Sequence, residues 1–206
     1  MFEDAIISFD RALRTLTGHF SGRRPVPGAA LPESELSVGQ RKHAAGLMRV
    51  NHTGEVCAQA LYAAQAFVAR DLSVKEQFSH AAREEEEHLT WTKTRLDELN
   101  DRTSLLNPLW YAGSFALGVA AGLAGDRVNL GFVLETERQV EEHLTGHLED
   151  LPVADAKSRA IVEQMRDDES RHAAMAQASG ATDLPWPVRG AMRAAARAMK
   201  MIAYRV

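Results

Sequence analysis

Two Glu-x-x-His pairs, Glu85–His88 and Glu169–His172, constrain this chain more than any other feature. A spacing of three puts both side chains of a pair on one face of a helix, within reach of a common partner. Of the eight histidines, the other six fail the test. His19, His43, His52, His80, His143 and His147 follow Leu16, Gln40, Arg49, Gln77, Val140 and Leu144 at that distance. Each qualifying pair is also preceded by a further glutamate, Glu55 thirty residues before Glu85 and Glu137 thirty-two before Glu169. The chain therefore carries one pattern twice, at an offset of 82 to 84 residues.

The surrounding sequence reads as all-α. Ala and Leu dominate, and neither alternating apolar runs nor Asn-Gly turns are found. Residues 1–18 form a short amphipathic helix with Ile6, Ile7, Leu13 and Leu16 on one side. Residues 19–39 hold most of the early Pro and Gly and read as an arm. A long helix is expected from about 40 to 70, and a second from a Ser73/Glu76 capping box to about Leu99. Residues 109–125 are uncharged. Asp126 is expected to cap a helix reaching about Asp150, followed by helices over 154–179 and 188–205. Two helical hairpins, 40–99 and 127–179, joined by an apolar crossover, make a ferritin-like four-helix bundle with a C-terminal amphipathic helix. The expected division is an N-terminal helix and linker arm over 1–39, then one bundle domain over 40–206.

Helical rise fixes where the repeated residues meet. At about 1.5 Å per residue, Glu55 lies about 24 Å before the turn near Asp71 and Glu85 about 21 Å after it. Glu137 and Glu169 flank the turn after Leu151 at about the same two distances. Four carboxylates and two imidazoles are thus expected on one slab of the bundle. Buried without cations, such a cluster would cost several kcal/mol per unpaired charge. Two divalent metals remove that cost, and oxygen and imidazole donors without thiolate suit iron or manganese better than structural zinc.

Composition narrows the classes. A net charge of −4 argues against a nucleic-acid partner. A single cysteine, Cys57, excludes an internal disulfide and a Cys-x-x-Cys metal knuckle. The start, MFEDAIISFDR, lacks the basic opening of a secretory signal, so an intracellular location is expected.

The words LMRVNHTGEVCAQALYAAQ (47–65), EEEEHL (84–89), NPLWYAGSFALG (107–118) and ERQVEEH (137–143) resemble the demethoxyubiquinone hydroxylase family of ubiquinone biosynthesis. The likeness runs from about residue 40 to the C-terminus, and residues 1–39 carry none of it. It implies a di-iron monooxygenase that uses O₂ to hydroxylate the ring of a polyprenyl demethoxy-benzoquinol. In that family's pattern Glu55 and Glu137 would be terminal ligands of two iron ions. Glu85 and Glu169 would bridge them, and His88 and His172 would complete one iron each. His143 matches a histidine associated with the substrate, although six residues past Glu137 it is off the ligand face. Asp168, in DESRH, resembles an aspartate that fixes a ligating histidine, with a surface aspartate as the plainer reading. Tyr62 shares the face of Glu55, with a packed core tyrosine as the plainer reading. Other ferritin-like di-metal proteins, namely an iron store, a peroxidase or a manganese catalase, are the alternative function.

A polyprenyl substrate raises the question of entry. Residues 109–125, with Ser114, Gly118 and Gly122 at four-residue spacing, suit close helix contact and an interfacial helix beside a quinone entry. A buried crossover and a bilayer span are the alternatives. Arg189, Arg193 and Arg197 on the last helix suit anionic lipid, with a solvated last helix as the alternative. Peripheral attachment to the cytoplasmic side of the cell membrane is the expectation, with a homo-oligomer or a ubiquinone-biosynthesis complex as the protein partners. Within REEEEHLTW (83–91), Glu85 pairs with His88, Glu84 is the counterpart of Asp168, and Glu86 and Glu87 are expected to be solvated.

Overall fold

The computed structural model describes residues 2–20 and 22–206, with side chains from Ile6 onward; Met1, in the expected N-terminal helix, and Ser21, in the expected arm, lie outside the described residues. Seven helices follow in order: α1 (Phe2–Thr17), α2 (Val38–Val68), α3 (Leu72–Glu98), α4 (Asn107–Leu123), α5 (Asp126–Asp150), α6 (Ala156–Ala178) and α7 (Trp186–Ala203). Among the described residues there is no strand. The hairpins α2–α3 and α5–α6 form the bundle, α4 lies along α2, and α7 packs on α2 and α5.

Helix starts lie within about two residues of expectation, with the informative differences at α2, α3 and α5. A capping box forms at Ser37 and Gln40, so α2 begins before residue 40. At α3 the cap is Asp71, whose carboxylate accepts from the Ser73 amide, so no Ser73/Glu76 box forms. Asp126 does not cap α5. Gly125, at φ 109°, holds that position, a backbone that side chains other than glycine's rarely adopt. Asp126 instead accepts the amides of Arg70 and Asp71 at 3.2 and 3.0 Å and pins the α2–α3 turn to the start of α5.

The core is split along the bundle axis. One apolar cluster holds Leu47, Met48, Trp91, Leu96, Leu144, Ile161 and Met165. A second holds Tyr62, Phe78, Leu130, Leu134 and Ala176 at the other end. On each bundle helix the residues of the expected polar slab fall between these clusters in sequence, for example Glu55 between Met48 and Tyr62. The apolar plugs above and below keep water from the slab and hold its helices in register.

Small residues set the approach of α4 to α2. A Cβ at Gly118 would stand 2.8 Å from the Ala64 Cβ and 2.9 Å from the Leu61 carbonyl oxygen. At Gly122 it would stand 2.0 Å from Val68 Cγ2. The other side of α4 faces outward, leaving Leu109 (62%), Leu117 (53%) and Leu123 (64%) exposed despite their apolar character. The crossover is therefore not a buried one. Among the described residues no helix is long and apolar enough to cross a membrane.

The C-terminus is anchored through Arg49 and Tyr204. Arg49 donates to the Arg102 and Tyr204 carbonyls at 3.0 and 2.8 Å and pairs with Asp101. The Tyr204 ring lies over Gly46, and its hydroxyl meets His43 Nδ1 at 2.7 Å.

Two outcomes follow from this packing. Gly118→Val should lower stability by about 1–3 kcal/mol through overpacking against the α2 backbone, read as a shift of the urea midpoint. His52 is fully buried with neither ring nitrogen bonded, and burial pushes its pKa down to about 3. Its depressed value means that stability is present above the unfolded histidine pKa and is lost as pH falls. Between pH 6.5 and 5 that loss is about 2 kcal/mol. His52→Leu should shrink the difference between urea midpoints at pH 7 and pH 5, and an unchanged difference would disprove the assignment.

Candidate metal centre

Each bundle helix sends its acidic residue inward because the helical period aligns it with that helix's apolar stripe. Glu55, Glu85, His88 and Glu169 offer ligand atoms that all lie within 4.8 Å of one another, and Glu137, Glu169 and His172 do the same. All six side chains are buried, with Glu85 and His88 at 0% exposure. The structure brings together the six residues that the repeat singles out.

Both histidines point Nδ1 inward. His88 Nδ1 lies 2.9 Å from Glu85 Oε2, 3.3 Å from Glu169 Oε1 and 3.6 Å from Glu55 Oε2. His172 Nδ1 lies 3.2 Å from both Glu85 Oε1 and Glu169 Oε2. Glu85 and Glu169 therefore turn one oxygen to each histidine, as a carboxylate shared by two ions must. Glu55 stands on the His88 side, and Glu137 joins the His172 group.

The donor set fits a pair of metal ions. Both oxygens of Glu85 and Nδ1 of His88 are buried without a hydrogen bond of acceptable geometry, although they are near neighbours. Burial, then the charge of Glu85, pushes the Glu55 carboxyl well above the usual carboxylate range. Burial, then Glu169, does the same to Glu137. Carboxyls that resist ionising this strongly call for cations, and two divalent ions would balance the four of them.

The outer nitrogens are held by acids from the opposite half. Asp168, beside Glu169 on α6, takes His88 Nε2 at 2.9 Å. Glu84, beside Glu85 on α3, takes His172 Nε2 at 2.9 Å. Such a carboxylate fixes the tautomer and leaves the inner nitrogen free to bind a metal. Asp168 is 1% exposed and also receives Arg24, Arg171 and Gln164. Although burial opposes it, these donors, led by His88, hold its carboxyl well below the ordinary range. The surface reading of Asp168 is thereby excluded.

Tyr62 is both a packed core residue and a neighbour of the centre. Its hydroxyl donates to Glu137 Oε1, and its ring meets His172 edge-on at 6.5 Å between centroids. His143 stands apart from the six. Its ring packs against His147 at 3.9 Å, and it lines a cavity that also reaches Glu55.

Glu87 corrects the expectation of a solvated side chain. It is 8% exposed, and its carboxylate accepts the amides of Arg23 and Arg24 at 2.8 and 3.0 Å. Glu86 is half-buried rather than fully solvated. Sequence reasoning had no signal for Arg24, whose partner Asp168 lies 144 residues away.

Glu169 belongs to both ligand groups and Glu137 to one. Glu169→Ala should therefore bind close to no iron, whereas Glu137→Ala should keep about one equivalent, read by metal analysis after anaerobic loading. Asp168→Ala and Glu84→Ala should each weaken iron binding by about 10- to 100-fold.

The ubiquinone biosynthesis protein COQ7 family model matches residues 42–203. A protein of Burkholderia mallei (strain SAVP1) named 3-demethoxyubiquinol 3-hydroxylase is 59% identical over 205 residues, covering 99% of both chains. Proteins of the same name from Ralstonia pickettii (strain 12J) and Aromatoleum aromaticum are 57% and 58% identical, each covering 100% of both chains. With this likeness added to the bundle and its paired acid–histidine groups, the chain belongs to the COQ7 ubiquinone biosynthesis family.

Proposed function

We propose that this protein is a di-iron monooxygenase that hydroxylates the ring of a demethoxyubiquinol, with Glu55, Glu85, His88, Glu137, Glu169 and His172 as the iron ligands. One observation carries the reading. A cavity of about 480 Å³ between α2, α4, α5 and α7 is lined by Ala58, Leu61, Leu117, Phe132, Met192 and Met199, and it reaches Glu55. An apolar chamber of this size suits a quinol ring and the start of an isoprenoid tail. An iron store would have no use for it.

When bound, the two iron ions would supply the redox chemistry that activates O₂, one oxygen atom going to the ring and the other leaving as water with two electrons from an external reductant. The residues around them do the remaining work. Asp168 and Glu84 hold the two imidazoles in a single tautomer. Tyr62 donates to Glu137 and fixes that carboxylate's orientation. The two apolar clusters and the cavity wall exclude water that would otherwise intercept a reactive intermediate. His143, whose pKa is pushed down by burial and then by its neighbours His147 and Lys200, lines the cavity as a polar group that could orient a quinol hydroxyl.

Peripheral attachment to a membrane, on its cytoplasmic side, completes the proposal. Leu109, Leu117 and Leu123 are exposed on α4, while Arg189, Arg193 and Arg197 are exposed on α7. These two helices flank the cavity. A greasy substrate could then pass from bilayer to cavity without crossing water. The exposed Ile6, Phe9 and Leu13 of α1 offer a further apolar surface for a second copy or a biosynthetic partner.

Anaerobic loading with ferrous iron, then O₂ with a short-chain demethoxybenzoquinol and a chemical reductant, should yield ring-hydroxylated product. Iron uptake with peroxide turnover and no hydroxylation would instead indicate a peroxidase on the same fold. Wild-type protein should float with anionic liposomes, and changing Arg189, Arg193 and Arg197 to Gln should leave it in the soluble fraction. Equal flotation of both would remove the electrostatic part of the attachment.

A further inference from the structure

Three successive residues of the N-terminal arm, Gly22, Arg23 and Arg24, are built onto the outside of the metal centre; they lie before residue 42, where the family model's match starts, but within the length that the full-length relatives cover. Gly22 permits the approach. A Cβ there would come 2.7 Å from Thr90 Oγ1 and 2.8 Å from Glu87 Oε2 on α3. Glu87 then takes the next two backbone amides, one on each oxygen, at 2.8 and 3.0 Å. Pro25 follows, which disfavours helix for Arg24 and keeps the arm extended.

This placement aims the Arg24 side chain at both groups that fix His88 from behind. Its Nη2 donates to Asp168 Oδ2 at 2.8 Å, the same oxygen that His88 Nε2 meets at 2.9 Å. Its guanidinium stacks 4.6 Å over Trp91, whose ring lies 5.3 Å from the His88 ring. Arg24 is 36% exposed and Asp168 1%, so Arg24 stands between solvent and the buried aspartate. The other histidine is held differently. Glu84, the carboxylate behind His172, is 27% exposed and has His80 beside it at 3.3 Å.

We infer that Arg24 is a positioning residue that latches the arm over the His88 side of the centre and makes the two metal positions unequal. On this inference, which rests on the six residues holding two irons, the ion at Glu55, Glu85, His88 and Glu169 leaves slowly. Its release requires His88 to swing, and His88 is braced by Asp168, Trp91 and Arg24 together. The ion on the His172 side leaves faster, because Glu84 can move into solvent.

The test is the rate at which ferrous iron passes from the loaded, full-length protein to a colorimetric ferrous chelator under anaerobic conditions. Wild type should release two equivalents in two phases. Arg24→Met should speed the slow phase about tenfold, within the range for groups that orient metal ligands, and leave the fast phase alone. Arg24→Lys, which keeps the charge toward Asp168, should restore part of the delay. Gly22→Val, which pushes the arm off α3 without touching Arg24, should match Arg24→Met, and Arg23→Met, at an exposed side chain, should match wild type. A slow phase unchanged in Arg24→Met would overturn the latch. So would acceleration of both phases alongside a lowered unfolding midpoint, since that is the mark of general loosening. If wild type binds no iron, the latch and the di-iron reading fail together, and metal analysis before the chelator step distinguishes that case.

Discussion

Four carboxylates and two imidazoles meet in the middle of a bundle whose ends are apolar, and the rest of the molecule is arranged around that unfavourable concentration of charge. Burial, reinforced by the neighbouring carboxylates, drives Glu55 and Glu137 toward their protonated forms. Apolar side chains could fill the same volume with less strain on the fold, so the polar slab is a cost borne for chemistry. It persists because apolar layers on both sides fix the helices. Three of the six side chains are also aimed from outside, His88 by Asp168, His172 by Glu84 and Glu137 by Tyr62.

Metal centre and apolar cavity share a wall, and α2 is that wall. Glu55 belongs to the polar slab, while Ala58 and Leu61, on the next turn, line the cavity. The glycines of α4 let a second apolar helix lie close to α2, and α7 closes the remaining side. Neither α4 nor α7 supplies any of the six candidate ligands. Their role is to enclose space beside the acid–histidine cluster that α2, α3, α5 and α6 provide.

Much of the centre was legible because the helical period converts spacing into direction. Glu85 could be chosen from REEEEH since its distance from His88 repeats at Glu169 and His172. Contacts that close in space but not in sequence were illegible. Glu87 looks like a solvated glutamate until residues 23 and 24 are seen against it. Asp168 could be read as fixing a histidine, but its own neighbour on the helix is His172, and the one it holds is His88. The start of α3 was misplaced for a local reason. Asp71 and Ser73 are both good capping residues, and the aspartate reaches the Ser73 amide first. Asp126 has the residue type of a cap and opens a helix, but its carboxylate accepts the amides of the α2–α3 turn instead.

The crossed support of the two histidines has a consequence for ancestry. In each half the acid preceding the Glu-x-x-His glutamate serves the histidine of the other half, so a lone hairpin would leave its histidine unbraced. Two identical hairpins related by a two-fold axis would make both contacts at once, because in such an interface residue i meets j whenever j meets i. The present chain has the contact pattern of a symmetric dimer fused into one polypeptide. The symmetry is incomplete, with a buried aspartate behind one imidazole and a partly exposed glutamate behind the other.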